Sequence, residues 1–295
     1  MSSYLRCTQY REASINDLLS SRSLITVIFC LLFFAASSAR AVNVVSIDYP
    51  GATYTAASGI NNLGDVVGNY DDSAGSTHGF LLSKGVYTTI DVPGALLTSP
   101  AYINDSGEIA GIFEAADSKF HSYLFDGVSF TTIDLPGAIN TVALGLNNLG
   151  EVVGYYEDAN IHYHGFTWSS GTFTTVDVPG SMLTFVFGIN DAGILVGLFN
   201  NEHNNSKSFA RLVDGTFKEF NLPLQFNGGI NNHDTTVGLV VDDGFRYNIS
   251  TRTFFRFAFP NATVTVCYGI NDSGTTVGYY LDHAFKTHGF MGGPM

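Results

Sequence analysis

The sequence contains little cysteine, little charge and only one long apolar run. Of its 295 residues, 3 are cysteine and 13% are charged, whereas 14% are aromatic and 32 are glycine. The low charge excludes a coiled coil and a highly charged disordered chain. The composition favours an all-β protein with many turns, because aromatic residues favour strands and glycine supplies turn conformations.

The apolar run lies near the N-terminus, at residues 24–36 (LITVIFCLLFFAA). Arg6, Arg11 and Arg22 precede it, and an A-x-A sequence follows at residues 39–41. A basic segment, a short apolar segment and small residues are typical of a secretory signal peptide. The run is shorter than the ~20 residues that span a bilayer. We therefore predict a signal peptide at residues 1–41, with an uncleaved membrane anchor as the alternative.

Cleavage would leave a strongly acidic chain of residues 42–295. Lys plus Arg falls from 13 to 9 and Asp plus Glu from 26 to 24, so the net charge becomes 9 minus 24, or −15. Such a domain repels nucleic acid and anionic lipids, whereas cations and neutral molecules are easier partners. Only Cys267 would remain, which excludes an intramolecular disulfide.

A sequence of the form GIN(N/D)xGxxVG recurs six times, with spacings of 43, 43, 43, 41 and 40 residues between its asparagines. Two further signatures, IDVPG and HGF, recur at fixed positions relative to the first, so the chain contains six internal repeats. The recurring asparagines are Asn61, Asn104, Asn147, Asn190, Asn231 and Asn271.

Each repeat of about 40 residues contains four short β segments separated by turn sequences, the size of a propeller blade. We predict an all-β fold, a six-bladed β-propeller in which residues 42–51 supply the fourth strand of the last blade. Closing the ring in this way would remove open sheet edges. A β-solenoid of six repeats is the alternative. The predicted single domain, 42–295, divides at approximately 52–94, 95–137, 138–180, 181–223, 224–260 and 261–295.

The signatures resemble the HAF-type extracellular repeat family. The HGF sequences at residues 78, 164 and 288, with GIN(N/D)xGxxVG in every phase, carry this resemblance across residues 42–295. The fifth repeat departs most, because His233-Asp234 replaces the usual turn residues and DGF replaces HGF. The resemblance implies a secreted or surface-located bacterial protein and implies no reaction, so no catalytic residue follows from it.

The repeated histidines allow two hypotheses. One is a metal-binding ring. The other is a structural role, in which each histidine caps the start of a third strand and hydrogen-bonds to the neighbouring blade. A residue that recurs at one position of the repeat favours the structural role, so we predict no metal site at these positions. They are His78, His121, His164 and His288.

The loops between the second and third strands do not repeat, and loops on a rigid scaffold often carry function. Nearly all begin with an aromatic residue followed by an acid or amide, which could stack on a sugar and bind its hydroxyl groups or calcium. Alternatively, the aromatic rings pack between blades and the acids are solvated. The predicted ligand-binding residues are Tyr70, Asp71, Asp72, Phe113, Tyr156, Glu157, Asp158, Phe199, Asn200, Tyr280 and Asp282.

No serine-hydrolase, zinc-protease, P-loop or dinucleotide motif is present, so no catalytic residue is predicted. We predict a secreted, monomeric, non-enzymatic binding or scaffold module. Its predicted partner is a carbohydrate or a cell-surface protein. No cofactor is predicted, although calcium at the loop carboxylates stays open. An extracellular polysaccharide hydrolase or lyase and a purely structural cell-surface repeat protein are the alternatives.

Overall fold

The structure, a computed structural model, describes residues 44–203, 205–220 and 226–293. The predicted signal peptide at residues 1–41 lies outside the described residues. The regular secondary structure of the described residues is β-strand throughout, and no helix among them is long and apolar enough to cross a membrane.

The described chain forms the following strands, numbered in chain order. The strands are β1 (Val44–Ser46), β2 (Tyr54–Ile60), β3 (Val66–Asp71), β4 (Thr77–Ser83), β5 (Val86–Ile90), β6 (Leu97–Ile103), β7 (Ile109–Glu114), β8 (Phe120–Phe125), β9 (Phe130–Ile133), β10 (Asn140–Leu146), β11 (Val152–Glu157), β12 (Tyr163–Ser169), β13 (Thr172–Val176), β14 (Leu183–Ile189), β15 (Leu195–Asn200), β16 (Ser206–Arg211), β17 (Phe217–Glu219), β18 (Phe226–Ile230), β19 (Thr235–Val240), β20 (Asp243–Asn248), β21 (Phe254–Phe257), β22 (Val264–Ile270), β23 (Thr276–Leu281) and β24 (Thr287–Gly292).

Consecutive strands pair antiparallel in sets of four. The sets are β2–β5, β6–β9, β10–β13, β14–β17 and β18–β21, and a further set combines β22–β24 with β1. A single parallel pair, Tyr163 with Leu183, joins the third and fourth sets into one continuous sheet. The N-terminal strand β1 pairs with β24, with Val44 opposite Gly292. The fold is a β-propeller, which confirms the all-β and propeller predictions and excludes the parallel coils of a solenoid.

The hydrophobic core lies between neighbouring sets. One cluster joins Ala110 and Ile133 of the second set to Leu146, Val152 and Phe166 of the third. The aromatic residue of the HGF signature is fully buried in every set. Burial of each such ring contributes about 1.5–3 kcal/mol relative to exposure. These residues are Phe80, Tyr123, Phe166, Phe209, Phe245 and Phe290.

The glycine that ends each GIN(N/D)xGxxVG sequence lies on the second strand of its set, close to the first. A Cβ built on Gly154 would overlap the carbonyl oxygen of Val142 on β10. The partner strand shifts register at this point, between Ala143 and Gly145. Glycine is thus required here because the two backbones approach too closely for any side chain.

The recurring asparagines form a closed ring of hydrogen bonds, here called the amide ring. Asn147 Oδ1 accepts the N–H groups of Leu149 and Glu151, at 3.0 and 2.9 Å, and so closes its own hairpin turn. Its Nδ2 donates to the carbonyl oxygen of Asn190, the equivalent residue of the next set, at 3.3 Å. The ring is completed by Asn271, which donates to the carbonyl oxygen of Asn61 at 3.0 Å. Its members are Asn61, Asn104, Asn147, Asn190, Asn231 and Asn271, each buried.

The first strands of the sets meet at the centre of the ring through glycine. A Cβ on Gly188 would lie 3.0 Å from the Cα of Gly229, so these backbones are nearly in contact. The second set has Tyr102 at the equivalent position instead. The Tyr102 hydroxyl donates to the carbonyl oxygen of Ile270 at 3.1 Å, so its side chain crosses the centre. One aromatic residue therefore fills the space that the glycines leave.

We expect Asn147→Ala to destabilise the protein by at least about 2 kcal/mol. The change leaves the N–H groups of Leu149 and Glu151 without their side-chain acceptor and removes one of the two hydrogen bonds to the carbonyl oxygen of Asn190. An unpaired buried polar group costs about 1–3 kcal/mol. Urea unfolding of the purified protein measures the loss. The control is Asn160→Ala, an exposed loop residue whose N–H bond to Asp158 survives the change. Equal stability of the two variants would contradict a structural role for the amide ring.

Candidate functional site

Polar side chains concentrate at the two opposite ends of the strand sets. Because successive strands alternate in direction, the turn between the first and second strands lies at one end and the next loop at the other. We call the end formed by the β3–β4, β7–β8, β11–β12, β15–β16, β19–β20 and β23–β24 loops the loop face. The other end carries the amide ring.

Next to the amide ring, a second ring alternates three asparagines with three aspartates; we call it the alternating ring. The N–H of Asn62 donates to Asp105 Oδ1 at 2.8 Å, and the N–H of Asp105 donates to Asn148 Oδ1 at 2.8 Å. The Asn62 amide also bonds to Asp105 Oδ2 and Asp272 Oδ2, at 2.8 and 2.9 Å. The members are Asn62, Asp105, Asn148, Asp191, Asn232 and Asp272.

Each carboxylate of the alternating ring is hydrogen-bonded within the protein. Every aspartate accepts hydrogen bonds from its asparagine neighbours, which separates the three negative charges and offsets their repulsion. The sequence analysis missed this ring, although the signal was present: the second residue of the turn alternates between Asn and Asp along the chain. The alternation becomes meaningful only once the structure shows that the turns between the first and second strands of neighbouring sets lie side by side.

On the loop face, four of the six loops share one arrangement of backbone hydrogen bonds, which the side chain of their first residue fixes. Asp158 Oδ1 accepts the N–H groups of Asn160 and His162, at 2.8 and 2.9 Å. The same arrangement recurs at Asp72, Asp282 and Asn201. Hydrogen bonds from these backbone N–H groups hold the pKa of Asp72, Asp158 and Asp282 below its ordinary value. These three carboxyl groups are therefore ionised at neutral pH.

Each histidine of the HGF position lies between two aspartates. His164 Nδ1 donates to Asp177 Oδ2 at 2.8 Å, and its Nε2 lies 3.8 Å from Asp158 Oδ2. The first aspartate follows the fourth strand and the second begins the loop, so the imidazole joins two separate segments. The other such groups are Asp91–His78–Asp72, Asp134–His121–Asp117 and Asp48–His288–Asp282.

The fourth and fifth sets have ion pairs in place of the histidine groups. Lys207 occupies the histidine position of the fourth set, opposite Phe199, and its Nζ lies 2.7 Å from Glu219 Oε1. In the fifth set Arg256 contacts Asp243 Oδ2 at 2.7 Å. A histidine–aspartate contact or an ion pair therefore connects the loop side of the third strand to the following strand or connection in all six sets of the described chain.

The aromatic residues predicted to bind ligand make contacts within the protein. Tyr70 is 7% exposed and stacks on Tyr49, with ring centroids 3.6 Å apart. Tyr280 stacks on Phe259 at 3.8 Å in the same way. Four of these rings also stack on the histidine opposite them, at 5.1–5.3 Å: Tyr70 on His78, Phe113 on His121, Tyr156 on His164 and Tyr280 on His288.

The fifth predicted ring, Phe199, is 9% exposed and belongs to a core cluster. These contacts agree with the alternative given in the sequence analysis, in which the aromatic rings pack within the protein. Four of the rings also hold the histidine side chains in place by stacking on them. The contacts leave little ring surface for a sugar, although no observation tests ligand binding directly, so that role stays a prediction.

The predicted polar residues fall into two groups. Asp71, Glu157 and Asn200 lie at the ends of strands and accept hydrogen bonds from Thr77 at 2.7 Å, Asn140 at 2.6 Å and Ser206 at 2.8 Å, respectively. Burial raises the pKa of Asp71. In contrast, Asp72, Asp158 and Asp282 lie in the loops, with one oxygen bound to the backbone and the other directed toward the histidine. This second group offers the fixed carboxylates of the loop face.

The sequence matches no family model and no curated protein. The HAF resemblance therefore stays a prediction. The structure is similar to that of TolB from Acinetobacter baumannii, with 12% identity and a TM-score of 0.55; the match covers 78% of this chain and 64% of the TolB chain.

Two further similarities are to AofleA from Arthrobotrys oligospora and to Aleuria aurantia lectin. The AofleA structure, a triple arginine mutant, has 11% identity, a TM-score of 0.54 and coverage of 85% of this chain and 86% of that chain. The Aleuria aurantia lectin structure, a complex with Fucalpha1-6GlcNAc, has 11% identity, a TM-score of 0.49 and coverage of 81% and 91%. At this identity the TolB and AofleA likenesses support the fold alone.

The histidine groups predict a pH-dependent stability. Burial alone would lower the pKa of His78, but the hydrogen bonds and charges of Asp91 and Asp72 outweigh it and raise the pKa above its ordinary value. A raised folded-state pKa gives stability that is complete below the unfolded value of about 6.5 and is lost as pH rises through the folded value. The lowered pKa of Asp72 gives stability that is present above about pH 3.9 and is lost in acid.

We therefore expect the Tm of the protein to be highest between about pH 4 and 6.5. The variant His78→Gln should lose less Tm than the wild type between pH 6 and 9, because it lacks the titrating imidazole. Differential scanning calorimetry at matched ionic strength measures both profiles. Parallel profiles for the two proteins over this range would show that His78 contributes nothing through its charge.

Proposed function

We propose that this protein is a secreted six-bladed β-propeller that binds carbohydrate on its loop face without catalysing a reaction. Six blades agree with the closure of the amide ring from Asn271 to Asn61 and with the pairing of β1 with β24. The strict alternation of Asn and Asp in the alternating ring supports the same number, because alternation closes on itself only when the number of members is even.

The contrast between the two ends of the sets carries the proposal. The turns around the amide ring repeat almost unchanged, whereas the loop face differs from set to set: its sequences include DDSAGST at 71–77, EDANIHY at 157–163 and LDHAFKT at 281–287. All are held by the same hydrogen bonds at their bases. Variable loops on a rigid support are typical of a binding surface.

The chemistry of the loop face favours a neutral, hydroxyl-rich ligand. Its ionised carboxylates accept hydrogen bonds, and hydrogen bonds to a charged group are worth about 1.5–3 kcal/mol. The net charge of −15 predicted for residues 42–295 disfavours polyanions. Calcium, which prefers oxygen ligands, would bridge such carboxylates and sugar hydroxyl groups. The basic and apolar pattern of residues 1–41 and the HAF resemblance support an extracellular location.

Binding of the purified protein to a broad array of neutral and acidic polysaccharides, with calcium and with chelator, tests this function. The test variant combines Asp72→Asn, Asp158→Asn and Asp282→Asn. Asparagine keeps the loop conformation, as Asn201 does in the fourth set, but removes the charge. The control is Asp214→Asn, which changes a similar turn at the opposite end of the sheet.

We expect the wild type and the control to bind the same polysaccharide and the triple variant to bind at least about tenfold more weakly, a change of 1.4 kcal/mol. No new reducing ends should appear in the supernatant. A blank array would contradict carbohydrate binding, and release of reducing ends would favour the hydrolase alternative. Equal loss of binding in the control would place the site away from the loop face.

A further inference from the structure

One loop of the loop face differs from its equivalents in having a second histidine. Asp158 begins the β11–β12 loop, His162 ends it, and His164 is the second residue of β12. Residues two apart on an extended segment point to the same side, so both imidazoles face the aspartate. The equivalents of His162 in the other histidine-containing sets are Ser76, Lys119 and Lys286.

The three side chains have the spacing of metal ligands. Asp158 Oδ2 lies 3.5 Å from His162 Nδ1 and 3.8 Å from His164 Nε2, and one ligand atom from each of the three lies within 4.8 Å of the others. Ligands at the usual zinc bond lengths of about 2.0–2.2 Å in tetrahedral geometry are about 3.3–3.6 Å apart. Only small side-chain movements would therefore bring all three onto one ion.

The surrounding hydrogen bonds already orient two of the three ligands. Asp177 accepts a hydrogen bond from His164 Nδ1, which leaves the lone pair of Nε2 directed toward Asp158. Metal-binding histidines commonly donate their other N–H to a carboxylate in this way. The backbone N–H groups of the loop bind Asp158 Oδ1, whereas Oδ2 accepts a long hydrogen bond of 3.5 Å from the exposed Asn160 side chain, which a cation would displace.

We propose that Asp158, His162 and His164 bind one zinc ion, with Asp177 as the positioning residue of His164. Two imidazoles and one carboxylate are ordinary zinc ligands, and three protein ligands leave the fourth position for water or for an oxygen of a bound molecule. The side chains of Asp158 and His164 are 28% exposed and that of His162 is 63% exposed, so the ion can enter from solvent.

This site differs from the metal ring that the repeated histidines suggested in the sequence. Equivalent histidines lie in different sets, each held between two aspartates of its own. In contrast, the three proposed ligands come from one loop and the strand that follows it. Among the groups of three histidine, cysteine or acidic residues in the described chain, this one alone has metal-ligand spacing.

Zinc titration of the purified protein against a chromophoric chelator at pH 7.5 tests the proposal. We expect one tight site per chain. The variant His162→Ser, which gives the loop the residue of the first set, should lose at least 100-fold in affinity. Asp177→Asn should lose 10–100-fold, the usual effect of changing a carboxylate behind a metal-binding histidine. Cobalt substitution should give the visible absorption of a four-coordinate ion in the wild type but not in His162→Ser.

The matched control is His78→Gln, which removes an equivalent histidine from a set without the second imidazole. It should leave both the affinity and the stoichiometry unchanged. Circular dichroism checks that the variants are folded, and the exposure of His162 makes unfolding by its replacement unexpected. Absence of tight zinc binding, a stoichiometry near four, or a His162→Ser variant with wild-type affinity would overturn the proposal.

Discussion

The amide ring is the constraint on which the rest of this structure depends. Each buried asparagine accepts a backbone N–H of its own turn through Oδ1 and donates from Nδ2 to the carbonyl oxygen of the equivalent asparagine in the next set. Because an unpaired buried polar group costs about 1–3 kcal/mol, each turn is more stable when its neighbour is in place. The amide ring thereby links each local hairpin to the closure of all six sets. It also places the residues of the alternating ring, which directly follow its asparagines in sequence, next to one another.

Tight packing restricts the sequence around the amide ring, whereas the loop face at the opposite end of the sets varies in sequence. Around the centre, a Cβ on Gly188 would lie 3.0 Å from the Cα of Gly229, so a larger residue at Gly188 would displace the neighbouring backbone. Tyr102 occupies the one position where a side chain enters, and loss of hydration together with the nearby carboxylates raises the pKa of its hydroxyl. The loop face carries no such restriction. Substitution there changes the surface without changing the core.

The same histidine–aspartate contacts are structural in three sets and are part of the proposed zinc site in the third set. In the first, second and sixth sets, the imidazole joins a loop aspartate to a connecting aspartate and stacks on an aromatic ring, as His78 does on Tyr70. These contacts account for the repeated aromatic and acidic residues without any ligand. In the third set, the same framework holds His164 and Asp158 in position, and the one additional residue, His162, completes a set of metal ligands.

The sequence by itself determined the repeat, the four strands of each unit, the turn at each recurring asparagine and the propeller. Periodicity and turn chemistry are local properties, and the period of about 40 residues left few alternatives. The sequence also indicated the loops as the variable surface. It did not determine which predicted residues stay accessible: Tyr70 and Phe199 have the same local pattern as a sugar-stacking residue, yet both are buried.

Only the tertiary structure decided which side chains meet. The alternation from Asn62 to Asp272 becomes a ring because six distant turns converge, with 210 residues between the ends of one hydrogen bond. The pairing of Asp177 with His164 is more local, because β13, which ends just before Asp177, folds back alongside β12. The contacts of the ring depend on closure of the sheet arrangement, and closure depends on the summed packing between sets. No single stretch of the chain contains that information.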